Sequence, residues 1–171
     1  MDLGTYLEYD GRPAVRFERT YPHPIESLWA AITEPVDLAA WFPSTVRMDP
    51  REGGTISFAD DPHLESTTGR ILAYDPPRRL AYTWGSDELH FWLSSVDDGC
   101  TLIMINVLEA DDAAARNAAG WTLCLGALDA RLAGREHDGP HVGVDAPWRP
   151  VYEQHVAAGL PSGAAIPGET A

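Results

Sequence analysis

The clearest pattern of apolar and polar positions in this chain lies between residues 69 and 84, where two strand-like runs flank a rigid break. In the second run Leu80, Tyr82 and Trp84 alternate with smaller residues, so the large side chains fall on one face of a strand. The break is an Asp-Pro-Pro triplet, and proline cannot donate a hydrogen bond to a strand ladder. The pattern predicts a hairpin of an antiparallel sheet whose apolar face another element must cover.

Other segments with a period of two predict further strands of the same sheet. Between residues 88 and 96, Leu89, Phe91 and Leu93 share one face, and the Asp-Asp-Gly triplet that follows is typical of a hairpin turn. The remaining strand-like runs are shorter or less regular and lie at 14–22, 45–48, 55–59 and 100–109. Together these runs indicate about six to seven antiparallel strands.

A period near 3.6 predicts three helices in the core of the chain. Ile25, Leu28 and Ile32 mark one short helix, and a second covers residues 36–41. A long helix follows the strands, from about residue 111 to about residue 133. Its apolar positions recur by threes and fours, at Ala114, Ala118, Trp121, Leu125, Leu128 and Leu132. This order predicts an α+β fold, in which a curved antiparallel sheet wraps a long C-terminal helix and two short helices follow the first strand.

Two glycines, Gly120 and Gly126, lie inside the predicted long helix. Each costs about 1 kcal/mol relative to alanine in a helix interior. Their presence suggests either a close approach of another backbone or a bend in the helix.

The composition changes after the long helix. Residues 135–146 are polar and contain glycine, 147–160 carry the apolar pattern of one more short helix, and 161–171 are typical of a frayed end. We therefore predict a single domain at 14–134 followed by a C-terminal extension at 135–171, which consists of a linker and a short helix.

The formal net charge of −14 argues against two classes of partner. A nucleic-acid binder needs a basic patch, and an anionic membrane surface attracts basic segments, so we expect neither partner.

The sequence shows no run that approaches the roughly 20 apolar residues of a membrane helix and no signal peptide at its start. Two cysteines form no disulfide framework, which predicts a reduced, cytoplasmic setting.

Several short motifs follow one another in an order that resembles a known superfamily. They are TEPVDLAAWF at 33–42, Gly53-Gly54, DPPRRLAYTW at 75–84, GCTL at 99–102 and Gly120-Trp121. With the order of elements, they resemble the helix-grip (START-like, SRPBCC) superfamily, and within it the branch named after the activator of Hsp90 ATPase. The resemblance covers residues 14–133 and is more specific for the fold than for a substrate.

The resemblance implies a deep cavity between the concave face of the sheet and the long helix. Relatives use this cavity for lipids, sterols, polyketides and other apolar molecules. Some relatives are cyclases or hydrolases, many have no known activity, and one group binds a chaperone.

Candidate cavity-lining residues come from the presumed concave face and from the helices. The sheet positions are Phe58, Leu72, Tyr82, Trp84, Phe91, Leu93, Ile103 and Ile105, and the helix positions are Trp41, Phe42, Trp121 and Leu125. Large rings at the ends of elements can wall a site while an N–H stays available, which makes Trp41, Phe42, Trp84 and Trp121 the leading candidates. The alternative for each is a place in a filled core.

Arg70 is the one charged residue among the candidates. Strict alternation puts Arg70 on the face of Leu72 and Tyr74. If that face is concave, its guanidinium offers a paired donor for a carboxylate or an enolate ligand. The alternative is a salt bridge at the end of a strand.

The same alternation predicts what the outer face of the sheet carries. With Ile103 and Ile105 pointing inward, Leu102, Met104, Asn106 and Leu108 point outward, and an exposed apolar strip often marks a partner surface. This strip is the basis of a homodimer hypothesis.

Glu88 and His90 lie two apart on the outer face, where we expect a solvated pair rather than a proton-transfer pair.

No metal or cofactor is expected. His137 and His141 have the spacing of helical ligands, but Gly139-Pro140 between them is incompatible with a helix. The sequence contains no His-Glu-x-x-His motif, no phosphate loop and no Gly-x-Ser-x-Gly elbow.

The function predicted from the sequence is binding of a small hydrophobic or aromatic molecule in an apolar cavity. No catalytic set is evident. One alternative is an enzyme of the cyclase or hydrolase kind that uses Arg70 or Tyr82, and another is a chaperone-linked protein-interaction module. Trp148 and Tyr152 of the extension either cover the mouth of the cavity or dock on another subunit.

Overall fold

A computed structural model of the protein describes residues 2–141, 148–167 and 169. Eight strands form one antiparallel sheet in the order β1-β2-β8-β7-β6-β5-β4-β3. The strands are β1 (Thr5–Tyr9), β2 (Arg12–Tyr21), β3 (Thr45–Met48), β4 (Thr55–Ala59), β5 (Thr67–Asp75), β6 (Arg79–Trp84), β7 (Asp87–Val96) and β8 (Gly99–Val107). The helices are α1 (Ile25–Thr33), α2 (Pro35–Trp41), α3 (Ala114–Leu132) and α4 (Trp148–Ala157), and a 3₁₀ turn at Asp111–Ala113 leads into α3.

The α+β helix-grip architecture predicted from the sequence is confirmed, with one strand more than expected. The additional strand is β1, which pairs with β2 through the turn Asp10-Gly11. Both turn residues have positive φ, 49° and 75°, as the favoured two-residue hairpin turn requires. As an edge strand, β1 has no fully buried position, so its sequence lacks a clear apolar face.

Helix α2 is short because both of its ends are set by local sequence. Pro35 occupies the first helical position, where a missing N–H costs nothing, and Phe42 after the last residue has extended backbone. Trp41 donates its indole N–H to the Ala31 carbonyl at 2.8 Å, which ties α2 to α1. Arg131 of α3 forms an ion pair with Asp37 at 2.7 Å. These contacts hold Trp41 and Phe42 between the sheet and α3.

Helix α3 packs along the sheet through its apolar stripe, as its period indicated. Trp121, Leu125 and Leu128 are all buried in the main core. A Cβ placed on Gly120 or Gly126 would meet nothing within 4 Å. The close backbone approach suggested for these glycines is therefore wrong, and nothing packed against them accounts for their place in the helix.

Strand β8 presents to the core the face opposite to the one predicted. Leu102, Met104, Asn106 and Leu108 are buried against α3 and the short helices, whereas Ile103 and Ile105 lie on the outer face with Val107. Both faces of this strand are apolar, so alternation cannot tell them apart. Its register with β7, in which Phe91 pairs with Met104 and Leu93 with Leu102, decides the face. The predicted outward strip does not exist, and the homodimer hypothesis loses its basis.

Strand β5 departs from strict alternation because it contains a bulge. Ile71 pairs with Tyr82, but the next paired residue, Ala73, lies opposite Ala81, so Leu72 is the extra residue. Ile71 is buried in the core, while Leu72 is 39% exposed. Arg70 is also exposed and donates to the Gly53 carbonyl at 3.1 Å. The prediction that Arg70 and Leu72 line the concave face is wrong.

The C-terminal extension docks on the domain that precedes it. Helix α4 packs against α3, and Leu160 is buried in the main core. The Pro161 carbonyl accepts the Ala115 N–H at 2.9 Å, and the Ala164 N–H donates to the Asp112 carbonyl at 3.2 Å. The prediction of a frayed end is wrong for residues 161–164, because Pro161 and Ala164 hydrogen-bond to the start of α3 and to the turn before it. Residues 168, 170 and 171 of that predicted end, and residues 142–146 of the predicted linker, lie outside the described residues.

None of the helices in the described ranges combines the length and the hydropathy that a membrane-spanning helix needs.

Candidate functional site

Five aromatic side chains from four parts of the fold meet between the sheet and α3, and we call them the aromatic cluster. They are Phe42, which follows α2, Phe58 of β4, Tyr82 and Trp84 of β6, and Trp121 of α3. Phe42 lies at the centre, with ring centroids 6.0 Å from Phe58, 6.3 Å from Trp84 and 5.6 Å from Trp121. Trp84 and Trp121 are 5.1 Å apart. These distances are typical of favourable aromatic pairs.

The remaining predicted lining residues divide into two groups. Trp41, Phe91, Leu93 and Leu125 belong to the same buried core as the aromatic cluster. Trp41 is in ring contact with Phe42 at 5.6 Å, and Phe91 with Tyr82 at 5.9 Å. The second group, Arg70, Leu72, Ile103 and Ile105, lies outside this core for the reasons given above. A ligand-binding role for the inward-facing residues stays a prediction.

The rings of the aromatic cluster occupy the space that the resemblance assigns to an open cavity. Phe42, Phe58, Tyr82 and Trp121 are at most 3% exposed, and only Trp84 is half-buried. One surface depression lies around Pro22–Glu26 and Ser95–Gly99, and another lies beside residues 131 and 134–137. Neither contains a ring of the aromatic cluster. Because these rings are in contact, a molecule that binds among them would have to separate them, and Trp84 is the most exposed ring of the cluster.

A buried polar group adjoins the aromatic cluster and was not found by sequence reasoning. The fully buried Asn106 of β8 accepts two hydrogen bonds at its Oδ1, from Trp121 Nε1 at 3.1 Å and from Asn117 Nδ2 at 3.0 Å. Its Nδ2 donates to Asp87 Oδ2 at 3.0 Å. The sequence did contain a signal for this site, namely a single asparagine within an otherwise apolar strand. A buried amide must find hydrogen-bond partners, so such an asparagine indicates a polar contact inside the core.

Asp87 anchors this polar group at the start of β7. Its Oδ1 accepts the backbone N–H of Glu109 at 2.9 Å, and its Oδ2 accepts from Asn106 and from Asn117 Nδ2 at 3.1 Å. Burial raises the pKa of the Asp87 carboxyl, and the hydrogen bonds oppose that rise. With both oxygens engaged, Asp87 positions the Asn106 amide.

The two nucleophile or acid–base candidates inside the core keep their protons. Burial raises the pKa of the Tyr82 phenol far above its ordinary value, so Tyr82 is not a general base near neutral pH. Burial likewise raises the pKa of the Cys124 thiol, whereas a reactive cysteine needs a lowered one. With Arg70 on the surface, the side chains considered for catalysis do not form a catalytic set.

Glu88 and His90 do contact each other on the outer face, but the histidine is not solvated as predicted. His90 is buried, its Nε2–H donates to Glu88 Oε2 at 2.8 Å, and its Nδ1 accepts from Arg79 at 2.7 Å. Its ring stacks on Trp92 at 5.6 Å and contacts Tyr9 at 5.1 Å. Side chains from β1 and β6 cover the ring, which the sequence of β7 alone does not indicate.

Within the ranges that the structure describes, no three His, Cys, Asp or Glu side chains are close enough together to hold a metal ion. His141, one of the two histidines considered as ligands, hydrogen-bonds the Pro43 carbonyl at 2.7 Å.

The sequence model of one family, described as activator of Hsp90 ATPase homolog 1-like protein, matches residues 22–133. This match spans more than half of the chain and includes α1, every strand from β3 to β8, and α3. The chain belongs to the activator of Hsp90 ATPase homolog 1-like family. Among curated proteins, none matches the sequence.

Solved structures share the fold of this family member over nearly its whole length. The crystal structure of CalU16 from Micromonospora echinospora has a TM-score of 0.70 at 23% identity and covers 91% of this chain and 92% of its own. The solution structure of BPP1335 from Bordetella parapertussis has a TM-score of 0.68 at 24% identity, with coverage of 95% and 94%. EF2215 from Enterococcus faecalis, a conserved protein of unknown function, has a TM-score of 0.69 at 18% identity, with coverage of 91% and 89%. At these identities the likeness concerns the fold alone.

Proposed function

We propose that this member of the family binds a small apolar or aromatic molecule at the aromatic cluster, between the sheet and α3. The observation that carries the proposal is the meeting of Phe42, Trp84 and Trp121 at the rim of the core, with Trp84 half-buried. Phe42 and Trp84 meet Trp121 through ring faces and edges, so they can move apart from it without breaking the hydrogen bond between Trp121 and Asn106. The proposed setting is the cytoplasm, since both cysteines are free thiols.

The free energy needed to separate the rings of the aromatic cluster sets the minimum size of a ligand that can bind there. Separating Phe42 from Trp84 and Trp121, and these two from each other, loses three aromatic contacts of about 0.5–1.5 kcal/mol each. A single ring that buries about 150 Å² gains about 4 kcal/mol at roughly 25 cal/mol per Å², which does not exceed the upper end of that loss, about 4.5 kcal/mol. Two fused rings that bury about 300 Å² gain about 7 kcal/mol. We therefore expect ligands of two rings or more.

Thermal unfolding with a panel of two-ring and larger apolar compounds tests the proposal. A ligand at about 100 times its dissociation constant adds about 2.7 kcal/mol to the free energy of unfolding, so binders raise the melting temperature. We expect Trp84→Ala to weaken binding at least tenfold, since a buried aromatic contact of about 1.5 kcal/mol corresponds to about that factor.

Trp92→Ala is the matched control, because Trp92 is also half-buried but lies on the outer face over Arg79. This variant should leave ligand affinity unchanged. Equal losses in both variants would place the ligand elsewhere. A panel without any binder, together with saturable binding of a purified chaperone, would replace the proposal by a protein-interaction role.

A further inference from the structure

The Asn106 amide has one orientation that its surroundings allow. Its Nδ2 faces the Asp87 carboxylate and the carbonyls of Glu88 and Val107, all of which can only accept hydrogen bonds. Its Oδ1 therefore faces α3, where Asn117 Nδ2 and Trp121 Nε1 donate to it. The side of the amide that borders the aromatic cluster is thus a hydrogen-bond acceptor whose two lone pairs are both engaged.

Trp121 is the member of the aromatic cluster that combines ring contacts with this hydrogen bond. Its indole touches Phe42 and the rim residue Trp84, and its N–H reaches the buried oxygen of Asn106. Any ligand that takes the place of this indole meets the aromatic cluster and one acceptor, Asn106 Oδ1, which keeps its hydrogen bond from Asn117 and lacks its second donor. Loss of one of the two hydrogen bonds at a buried oxygen is costly, so the site favours a ligand that supplies a donor at that point.

The backbone around Trp121 provides a second observation in favour of its displacement. Gly120 precedes it directly and Gly126 follows within two turns, and a Cβ added to either would meet no side chain and no neighbouring element within 4 Å. Glycines lower the stability of a helix interior, and no contact in the structure requires them. They lie in the part of α3 that must move if Trp121 is to leave the cluster.

We propose that the site selects planar aromatic ligands of two rings or more that carry one N–H or O–H donor, and that this donor binds Asn106 Oδ1 in the place of the Trp121 indole. This inference rests on the proposed function and specifies its ligand class. Trp121 then acts as an internal substitute for the ligand and engages the second lone pair of Asn106 Oδ1 while the site is empty.

Calorimetric titration of the full chain with matched pairs of compounds tests the inference. Indole and 1-methylindole have similar shapes, but only indole carries a donor, and 2-naphthol and 2-methoxynaphthalene form a second such pair. We expect each donor compound to bind about tenfold more tightly than its methylated partner, because the latter leaves Asn106 Oδ1 with one hydrogen bond in place of two. Equal affinities within both pairs would overturn the inference and leave the proposed function intact.

Variants separate displacement of Trp121 from binding beside it. Trp121→Ala removes the competing indole, so the affinity for indole should rise about tenfold or more if an aromatic contact and its hydrogen bond no longer have to be broken. Trp121→Phe, which keeps a ring and loses the N–H, serves the same purpose if the alanine variant does not fold. In either background Asn106→Leu should abolish the preference for donors.

Unchanged indole affinity in a folded Trp121 variant would overturn the inference, whereas failure of all apolar compounds to bind the unaltered chain would overturn the proposed function itself.

Discussion

At the scale of single residues, two buried histidines each accept a hydrogen bond that protonation would remove. His90 Nδ1 accepts from Arg79, and His155 Nε2 accepts the Gly4 N–H at 3.1 Å, while its Nδ1–H donates to the Val151 carbonyl. Burial is the main cause that lowers the pKa of both imidazoles. Each of them is therefore held in its neutral form in the folded protein.

The stability of the protein should consequently fall as the pH drops below about 6.5, the ordinary pKa of histidine. A folded-state pKa below the unfolded value means that the unfolded chain binds more protons there, so the stabilisation is present above that pH and is lost beneath it. Chemical unfolding at pH 7.5 and pH 5.5 measures the difference. His155→Phe should reduce it, and the same substitution at the exposed His137 should not; a pH dependence unchanged by His155→Phe would contradict this account.

Ile71 and Leu72 have nearly the same chemistry and point to opposite faces of β5. The bulge after Ile71 decides which of the two faces the core. Ile71 is 1% exposed and pairs with Tyr82, whereas Leu72 is outside the core. Ile71→Ala should cost about 2–4 kcal/mol in the free energy of unfolding, because it leaves a cavity. Leu72→Ala should change it by no more than about 0.5 kcal/mol, as surface substitutions do. Denaturant unfolding of the pair measures this, and a larger loss at Leu72 would mean that the strand has no bulge there.

At the scale of elements, α3 combines an apolar stripe with two glycines that make no close contact. The stripe holds the helix on the sheet, and the glycines weaken its interior around Trp121. A helix with this combination is held mainly by packing rather than by its own propensity.

Gly120→Ala and Gly126→Ala should each stabilise the protein by up to about 1 kcal/mol, since a methyl group fits at both positions without a clash. Thermal and denaturant unfolding measure the gain. If the glycines also serve ligand entry, Gly120→Ala should slow association with the two-ring compounds. Destabilisation by either alanine would show that the helix needs a conformation or an approach that the structure does not contain.

At the scale of the whole molecule, the C-terminal extension and the preceding domain form one hydrophobic core. Leu160, Tyr152 and Ala164 all pack against the main core, and His155 binds the Gly4 N–H at the other end of the chain. The extension thus joins the N-terminal segment to the start of α3. An element with such contacts is expected to unfold together with the domain.

Leu160→Ala tests this integration, with Leu64→Ala as a control of the same chemistry at a site that is 49% exposed. We expect a loss of about 2–3 kcal/mol for Leu160 in a single unfolding transition, and less than about 0.5 kcal/mol for Leu64. Equal small effects, or a separate early transition, would mean that the extension is an independent tail.

The sequence alone determined those features in which one face of an element is apolar and the other polar. This holds for β6 and β7, for the stripe of α3 and for the order of elements, which together predicted the α+β fold, while the short motifs added the resemblance to the helix-grip superfamily. It also placed Phe42, Tyr82, Trp84 and Trp121 on the inside. The physical reason is that burial of one face is a local property, which alternation and helical period record directly.

Only the tertiary structure decided the rest, because it depends on register and on contacts between distant residues. Both faces of β8 are apolar, so its pairing with β7 chose Asn106 and Met104 for the core and left Ile105 outside. One inserted residue in β5 exposed Leu72. The contact between Asn106 and Trp121, and the closing of the rings over the space between sheet and helix, arise where β8 and α3 meet, and no period along either segment records that meeting.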